Sequence, residues 1–453
     1  MTEVLHIGLV AAIGVVLTIP ILLRIVRRRF DPFEPLLLFA LAYGVMFVAR
    51  PASMIAGHDL AYDGPRGSTD VSSAFSKMLV LALLGAISFV AGYEMSLGRR
   101  LANRWRALGD LTARPVVVAA LVMGAAGVVS FLLFLVSSSG LSTLSLIFRG
   151  RTTELSQNVA GTTFYLWYSF FLLVPATLVL VAVGLERRRK ALLAIALALG
   201  GLFLLRTVPL GARIALLPLI GGGFVFYYVR RATRPSPLTL VALALLALVG
   251  SAFLSDLRGR GTRDESVAQT VVRATRPARI VTPFRSGPDS EMAPVLAAAL
   301  TQIPEKLHYT YGRTIFGDLV SRPVPRALWS DKPEPPRDKL IASLWPIERQ
   351  TGGINPEFSV LLYLFWDFGI PGVIAGMIIF GFAARGLFEY FLKHASSTAA
   401  QVFYSLALWF VVIGLRNSPT DTIVQFVFVV LPVWLALQVS LRRGVRLVAA
   451  VSR

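Results

Sequence analysis

The chain contains no cysteine, so it can form neither disulfides nor thiolate metal sites. Charged residues are also scarce: they make up 15% of the 453 residues, whereas soluble domains contain about 25%. Hydrophobic residues account for 55% of the chain, and the mean hydropathy is +0.68. This composition excludes a soluble enzyme, a DNA-binding domain and a disordered chain.

Side chains that could gather around a metal ion are sparse as well. The four histidines lie far apart in the sequence, so no histidine cluster is visible. Among the acidic residues that are expected on the outer face, the only tight pair outside the longest connection is Asp59 and Asp63, and the glycines around it favour a simple turn. We therefore expect no metal site and no cofactor.

Long apolar runs are the dominant feature that is present. Each is close to the roughly 20 residues that cross about 30 Å of hydrocarbon as a helix. The sequence therefore predicts an all-α polytopic membrane protein with about 11 transmembrane helices, at 4–23, 36–54, 78–97, 116–136, 164–185, 191–205, 214–229, 238–255, 370–390, 398–415 and 422–441.

The formal charge of +20 has a pattern typical of membrane topology rather than of nucleic-acid binding. Lys and Arg concentrate in alternate connections, at 24–29, 99–114, 186–190, 230–234, 385–393 and 442–453. Because such clusters stay on the cytoplasmic side, we expect the N-terminus outside and the C-terminus in the cytoplasm. The first basic residue is Arg24, so the first run is predicted to be a retained anchor rather than a signal peptide.

This topology divides the chain into three parts. Residues 1–255 hold the first eight helices, 256–357 form one long extracytoplasmic loop with short helices, and 358–453 hold the last three helices and a cytoplasmic tail. Within the loop, the apolar segment 293–303 predicts a surface or re-entrant helix. The remainder is rich in proline and aromatic residues, too apolar for a solvated linker. Asp367, just beyond the loop, is expected to lie hydrated at the outer membrane boundary.

Arginines at the predicted outer ends of the helices are the first candidates for function. Arg206, Arg213 and Arg416 either extend to lipid head groups or pair locally, or they face an anionic ligand at the outer surface. Arg258 and Arg260, just after the eighth helix, are equally compatible with phosphate binding and with a solvated basic loop near anionic lipid. No P-loop sequence is present.

Three strings in the second half of the chain carry a family resemblance. They are PRALWSDKP at 325–333, GINPEF at 353–358 and LYLFWDFGIPG at 362–372. Together with the Gly-x-Arg at 211–213 and the late outer arginine Arg416, they resemble the bacterial oligosaccharide repeat-unit polymerases, the Wzy-type O-antigen and exopolysaccharide polymerases. The resemblance covers residues 200–440, approximately.

The resemblance implies a multi-pass enzyme of the bacterial cytoplasmic (inner) membrane, similar in fold to GT-C-type glycosyltransferases. Such an enzyme polymerises oligosaccharide units linked to undecaprenyl pyrophosphate by an inverting, metal-independent transfer at the extracytoplasmic face. Its partners would be the lipid-linked donor and acceptor, membrane lipid and a chain-length regulator protein, with no nucleic acid. With this activity, Arg213 and Arg416 would be catalytic at the leaving pyrophosphate, and Glu357 would be the base, because the acceptor hydroxyl has to lose a proton and the family's glutamate just before Tyr363 is absent here. The substrate-binding residues would be Arg258, Arg260, Arg326, Trp329 and Lys332.

Two other functions remain open at this stage. A flippase or exporter of lipid-linked oligosaccharide would also need a basic outer cavity, but its path should carry charged residues at mid-helix, and these spans have almost none. A ligase that transfers finished glycan to a different acceptor has no sequence feature that separates it clearly from a polymerase. Trp329 is a candidate either for stacking on sugar rings or for packing against lipid.

Overall fold

The computed structural model describes residues 2–57, 60–64, 67–138, 140–149, 163–258, 267–274, 276, 290–321, 324, 328–329, 331–334, 336–344 and 358–451. Within these residues the protein is helical apart from one antiparallel hairpin, whose strands Ala61–Gly64 and Gly67–Asp70 pair from Ala61 opposite Asp70. The prediction of an all-α polytopic membrane protein is therefore confirmed at the level of helical architecture.

Ten described helices are long and apolar enough to cross a membrane, and a bent pair raises the number to as many as 11. They coincide with the predicted runs to within a few residues, except at the ninth. The single helices are Thr2–Val26, Pro35–Ala56, Ser72–Glu94, Arg114–Ser137, Tyr165–Glu186, Lys190–Thr207, Arg213–Arg230, Pro237–Leu257, Val360–Lys393 and Thr398–Arg416, and the bent pair is Pro419–Val429 with Leu431–Leu441.

Several spans are locally irregular. π-helical turns at Val45–Ala49 and Leu217–Gly221 interrupt two of them, and a 3-10 turn at Phe170–Leu172 interrupts a third. Shorter helices complete the described structure, at Ser96–Arg104, Leu141–Arg149, Val267–Ala274, Met292–Leu300, Asp318–Ser321 and Pro336–Leu344.

The chain forms two compact units, each assembled from separate stretches of sequence. Unit 1 contains Met1–Arg100, Pro277–Gly386 and Val411–Thr422, and unit 2 contains Leu101–Arg276, Leu387–Phe410 and Ile423–Arg453. The units thus combine parts of the three consecutive regions into which the sequence divides the chain.

In unit 1, two helices touch backbone to backbone through glycines. A Cβ added at Gly92 would lie 2.1 Å from the Ile378 carbonyl oxygen, and one added at Gly381 would lie 2.1 Å from the Phe89 carbonyl oxygen. Small residues permit such close approach, which gives van der Waals contact without a hydrophobic driving force in lipid. The Ser72–Glu94 and Val360–Lys393 helices therefore form a rigid pair.

The Val360–Lys393 helix is broken at Gly369, which has φ 65° and ψ −152°. The arms on either side of the break lie against each other: a Cβ at Gly372 would lie 2.4 Å from the Leu364 carbonyl oxygen. Only glycine adopts this backbone conformation without strain. The predicted span from Ile370 corresponds to the second arm, whereas the first arm, 360–368, was not predicted from the sequence.

Part of the long connection is buried inside unit 1. All nine residues of Met292–Leu300 are buried, and this helix packs against the Ser72–Glu94 helix. The sequence predicts a short surface or re-entrant helix at 293–303, and the helix that forms there is enclosed by protein on every side. Its apolar composition, with alanine at four of the nine positions between Met292 and Leu300, is suited to that enclosure.

A buried ion network closes the end of unit 1 that the charge pattern predicts to be cytoplasmic. The Arg24 Nε donates to Glu34 Oε1 at 2.8 Å, and the Tyr93 hydroxyl donates to the same oxygen at 2.9 Å. Arg385 lies 3.6 Å from it, and the Arg24 Nη2 also pairs with Glu94 at 2.7 Å. Glu34 therefore compensates two guanidinium groups.

Unit 2 is organised around Leu173–Glu186, a helix with 11 buried residues. It packs on Arg114–Ser137 and on Lys190–Thr207. At Gly184 an added Cβ would lie 2.8 Å from a Leu193 methyl carbon, so the helical hairpin requires a small residue there.

The predicted topology can be tested by cysteine labelling, because the chain lacks cysteine. Leu328 is 81% exposed and lies in the long connection, whereas Arg189 is exposed in a basic connection. In intact cells, Leu328→Cys should react with an impermeant maleimide and Arg189→Cys should not, although both should react after membrane disruption. The reverse pattern would invert the topology.

Replacing Glu34 by glutamine should strongly destabilise unit 1, because it leaves two guanidinium groups without their buried carboxylate. Breaking a buried pair costs about 3–5 kcal/mol. Thermal unfolding in detergent measures the effect, and Glu94→Gln is the matched control. The Glu94 side chain is 48% exposed, compared with 4% for Glu34. The control should therefore lose at most about 1 kcal/mol, and equal losses would contradict the assignment.

Candidate functional site

Arg213 begins the Arg213–Leu216 helix, directly after a turn in which Gly211 has a φ of +60°. Its Nη1 donates to the Ser251 hydroxyl at 2.8 Å and to the Ser251 carbonyl oxygen at 3.4 Å. These bonds hold the guanidinium against the Pro237–Arg258 helix of unit 2. The predicted catalytic arginine is therefore present, partly buried and oriented by a neighbouring span.

Arg206 lies in the last turn of Lys190–Thr207 and is only 5% exposed. Its guanidinium carbon lies 3.5 Å from the centre of the Trp167 ring, 4.4 Å from that of Phe170 and 5.8 Å from that of Phe131. We call this arrangement the aromatic box. Ring faces attract cations, by about 2 kcal/mol or more when the pair is desolvated.

Among the residues that the structure describes, no carboxylate compensates the charge in the aromatic box. Within the described part of the chain, Arg206 forms no salt bridge, and its buried Nε has no hydrogen-bond partner. Only the ring faces and the C-terminal end of its own helix favour the cation there. The positive charge of Arg206 is therefore not neutralised by a carboxylate in the described structure.

Arg416, the second predicted catalytic arginine, belongs to unit 1 and is 6% exposed. It ends the Phe410–Arg416 helix, and Ser418 caps the N-terminus of the helix that follows. The Asp421 amide donates to the Ser418 hydroxyl at 2.9 Å, and that hydroxyl donates to Asp421 Oδ2 at 2.8 Å. The turn that carries Arg416 is thus fixed by its own side chains.

Asp367 has a different role from the one that the sequence suggests. The expectation of a hydrated carboxylate is wrong, because Asp367 is completely buried. Its carboxylate accepts from the Thr314 amide at 3.1 Å, from the Ile315 amide at 3.2 Å and from the Thr310 hydroxyl. It therefore stabilises the π-helical turn Arg313–Gly317, whose buried amides would otherwise have no acceptor.

The Asp367 network extends to the turn that carries Arg416. The Thr420 hydroxyl donates to the Ile315 carbonyl oxygen at 3.2 Å, and the Ile315 amide donates to Asp367. The Thr310 and Tyr311 amides also donate to the carbonyl oxygens of Trp366 and Asp367. In unit 1 the tip of the broken helix, the π-helical turn and the Arg416 turn are thus joined by hydrogen bonds.

The structure describes only some of the predicted substrate-binding residues. Trp329 is 40% exposed, and the Lys332 ammonium donates to the Val324 carbonyl oxygen at 2.9 Å, so it closes the loop that carries the tryptophan. Arg258 ends a described helix, but its side chain lies outside the description. Glu357, Arg260 and Arg326 also lie outside the described residues.

Unit 1 contains a cavity of about 680 Å³ next to the tip of the broken helix. We call it the unit 1 cavity. It is almost entirely apolar and lies between the first turns of Ser72–Glu94, the chain after Met292–Leu300, and residues 365–371. Lys77 and Ser76 are among the few polar side chains that line it. Across the described ranges, no three His, Cys, Asp or Glu side chains gather as metal ligands.

The chain matches no protein-family model, no curated protein and no solved structure. The function of the site therefore has to be inferred from its own geometry.

The sequence places Arg206 at a helix end but does not reveal the aromatic box, because its rings come from helices far apart in the sequence. It also missed the Asp367 network and the unit 1 cavity, both of which depend on the fold-back at Gly369.

The aromatic box predicts an unusual response to removing its cation. Because Arg206 is buried without a carboxylate, Arg206→Met should unfold at the same temperature as the wild type or higher, since desolvating a lone charge costs several kcal/mol. Arg24→Met is the contrasting variant, because it removes one of the two guanidinium groups that compensate the buried Glu34. It should lose stability, and a large loss in Arg206→Met would instead assign Arg206 a structural role.

Proposed function

We propose that the protein is a glycosyltransferase that polymerises polyprenyl-pyrophosphate-linked oligosaccharide units at the extracytoplasmic face of the bacterial cytoplasmic membrane. The observation that carries the proposal is the buried Arg206, held by aromatic rings without a carboxylate partner in the described structure. A membrane protein retains such a costly cation where an anionic group has to be bound. A pyrophosphate at the membrane surface has the appropriate charge.

The reaction is a single inverting displacement. The acceptor hydroxyl oxygen attacks the anomeric carbon of the donor, the bond from that carbon to the pyrophosphate oxygen breaks, and the hydroxyl proton passes to a base. Glu357 is our candidate for the base. Negative charge develops on the leaving pyrophosphate, so guanidinium groups are required where it departs.

Arg213 and Arg416 are our candidates for that stabilisation. Both lie at helix ends on the predicted outer side, and both are fixed in place, the first by Ser251 and the second by the rigid turn that contains Ser418. A guanidinium binds phosphate through two parallel hydrogen bonds, which a point charge does not reproduce. Arg258, Arg260, Arg326, Trp329 and Lys332 complete the proposed substrate contacts, with Trp329 exposed for stacking on a sugar ring.

A flippase or exporter is the second candidate. Transport would require charged or polar side chains along a path through the spans. Arg206 and Arg416 lie instead at helix ends that are predicted to be extracytoplasmic, and Arg24 and Arg385 lie towards helix ends that are predicted to be cytoplasmic. This distribution favours chemistry at one face. A ligase would use the same donor-side arginines and differs in its acceptor.

The direct test uses purified protein in nanodiscs with synthetic lipid-linked repeat units, and it expects a ladder of products on a gel. Arg213→Lys and Arg416→Lys should each lower polymer yield about a hundredfold, which corresponds to roughly 3 kcal/mol of transition-state stabilisation. Arg188→Lys is the matched control at an exposed position in a basic connection, and it should polymerise normally.

The outcomes separate the candidate functions. Translocation of the lipid-linked unit without any ladder would support the flippase, and transfer to a different acceptor only would support the ligase. Near-normal ladders from both lysine variants, at equal membrane abundance, would assign Arg213 and Arg416 to interface anchoring. Chelation with EDTA should leave the ladder intact if the transfer is independent of metal.

A further inference from the structure

We infer that the unit 1 cavity binds the isoprenoid tail of the lipid-linked substrate, with Lys77 facing its phosphate. This inference rests on the proposed function, and it assigns a binding site to the lipid part of the proposed substrate. Residues 76–84 form one wall, and the tip of the broken helix forms the opposite wall.

The shape of the unit 1 cavity matches a lipid chain that enters from the bilayer. Val80, Phe368 and Ile370 line the cavity and are 42%, 42% and 48% exposed, so the cavity opens sideways between two spans. Along the Ser72–Glu94 helix, the lining extends from Ser76 to Leu84. At 1.5 Å per residue these eight steps correspond to about 12 Å of cavity wall along the helix axis.

The polar residues of the cavity lie at its rim, as an anionic lipid requires. Lys77 is in the second turn of its helix and has no hydrogen bond or ion pair with any described residue. The neighbouring Ser76 hydroxyl is within 2.8 Å of His6 Nε2, which fixes a second polar group at the same level. A cation above an apolar slot is complementary to a phosphate that carries a long hydrocarbon chain.

The walls of the cavity are rigid. The fold-back at Gly369 fixes one wall, and Tyr309 packs on the Phe365 ring with centroids 5.9 Å apart. The Tyr309 ring also lies 3.5 Å from the position that a Cβ at Gly369 would occupy. A preformed slot of this kind lowers the ordering cost of binding. Its opening towards the bilayer commits the proposal to a lipid occupant rather than to a soluble one.

The experiment is photo-crosslinking of purified protein in nanodiscs with a photoactivatable polyprenyl phosphate, followed by mass spectrometry. Label should appear within residues 76–84 and 365–371. Excess unlabelled polyprenyl phosphate should displace it, but excess phosphatidylglycerol should not. Equal displacement by phosphatidylglycerol, or label confined to other surfaces, would overturn the inference.

Two variants of the Ser72–Glu94 helix provide a matched comparison. Val80→Trp fills the cavity and should lower both labelling and polymer yield about tenfold. Ile87→Trp changes a residue of the same helix with similar exposure, 45%, that does not line the cavity, and it should lower neither. Normal labelling and polymer yield in Val80→Trp would refute the site while leaving the proposed function intact.

The contribution of Lys77 is measured separately. Lys77→Gln should weaken binding of the polyprenyl phosphate about tenfold, the factor that corresponds to losing one charge-assisted hydrogen bond. Lys77→Arg should retain the affinity because it retains the charge. Equal affinity for all three proteins would overturn the assignment of Lys77. Intact labelling of a wild-type protein that makes no polymer would refute the proposed function and support the lipid site.

Discussion

Placing a guanidinium group inside an apolar helical bundle is the constraint on which much of this structure depends. An isolated buried charge is costly, and the protein meets that cost in two different ways. At the end predicted to be cytoplasmic, Glu34 pairs with Arg24 and Arg385. In unit 2, Arg206 lies at a helix end that the charge pattern predicts to be extracytoplasmic, and it is surrounded by aromatic rings. In the first arrangement a carboxylate compensates the guanidinium charges. In the second, no carboxylate in the described structure compensates Arg206, so an anionic ligand would supply the missing negative charge.

The broken helix of unit 1 shows a related use of buried polar groups. Once Gly369 turns the chain back, the tip of the hairpin exposes backbone amides and carbonyls that have to be satisfied within the protein. Asp367 meets this requirement by accepting two amides of the neighbouring π-helical turn. Thr420 connects that turn to the one that carries Arg416. Through this series of hydrogen bonds, the Asp367 carboxylate helps to hold the turn that carries Arg416. None of these bonds joins Asp367 to Arg416 directly.

How much of the fold could be predicted from the sequence depends on whether a feature is encoded in one local stretch or arises from contacts between distant residues. The spans are local, because a run of about 20 apolar residues is sufficient to define each one. The buried helix Met292–Leu300 was also visible as a short apolar segment. The fold-back at Gly369 was not, because a glycine two residues before a proline is compatible with a helix entry as well as with a hairpin tip. Only the contact between Leu364 and Gly372 distinguishes the two.

In the candidate site, too, local features could be predicted from the sequence and contacts between distant residues could not. The arginines were identified because a charge near an apolar run stands out in any sequence, and Arg206, Arg213 and Arg416 all lie at helix ends. Their surroundings were not predictable, since the rings of the aromatic box belong to two other helices and pair with Arg206 only after folding. Burial also changes the role that is assigned to a residue. Asp367 resembles a hydrated boundary carboxylate in the sequence, yet its complete burial and its amide partners give it a positioning role. A single sequence therefore indicates which residues are chemically unusual, whereas packing determines which of them remain available to a substrate.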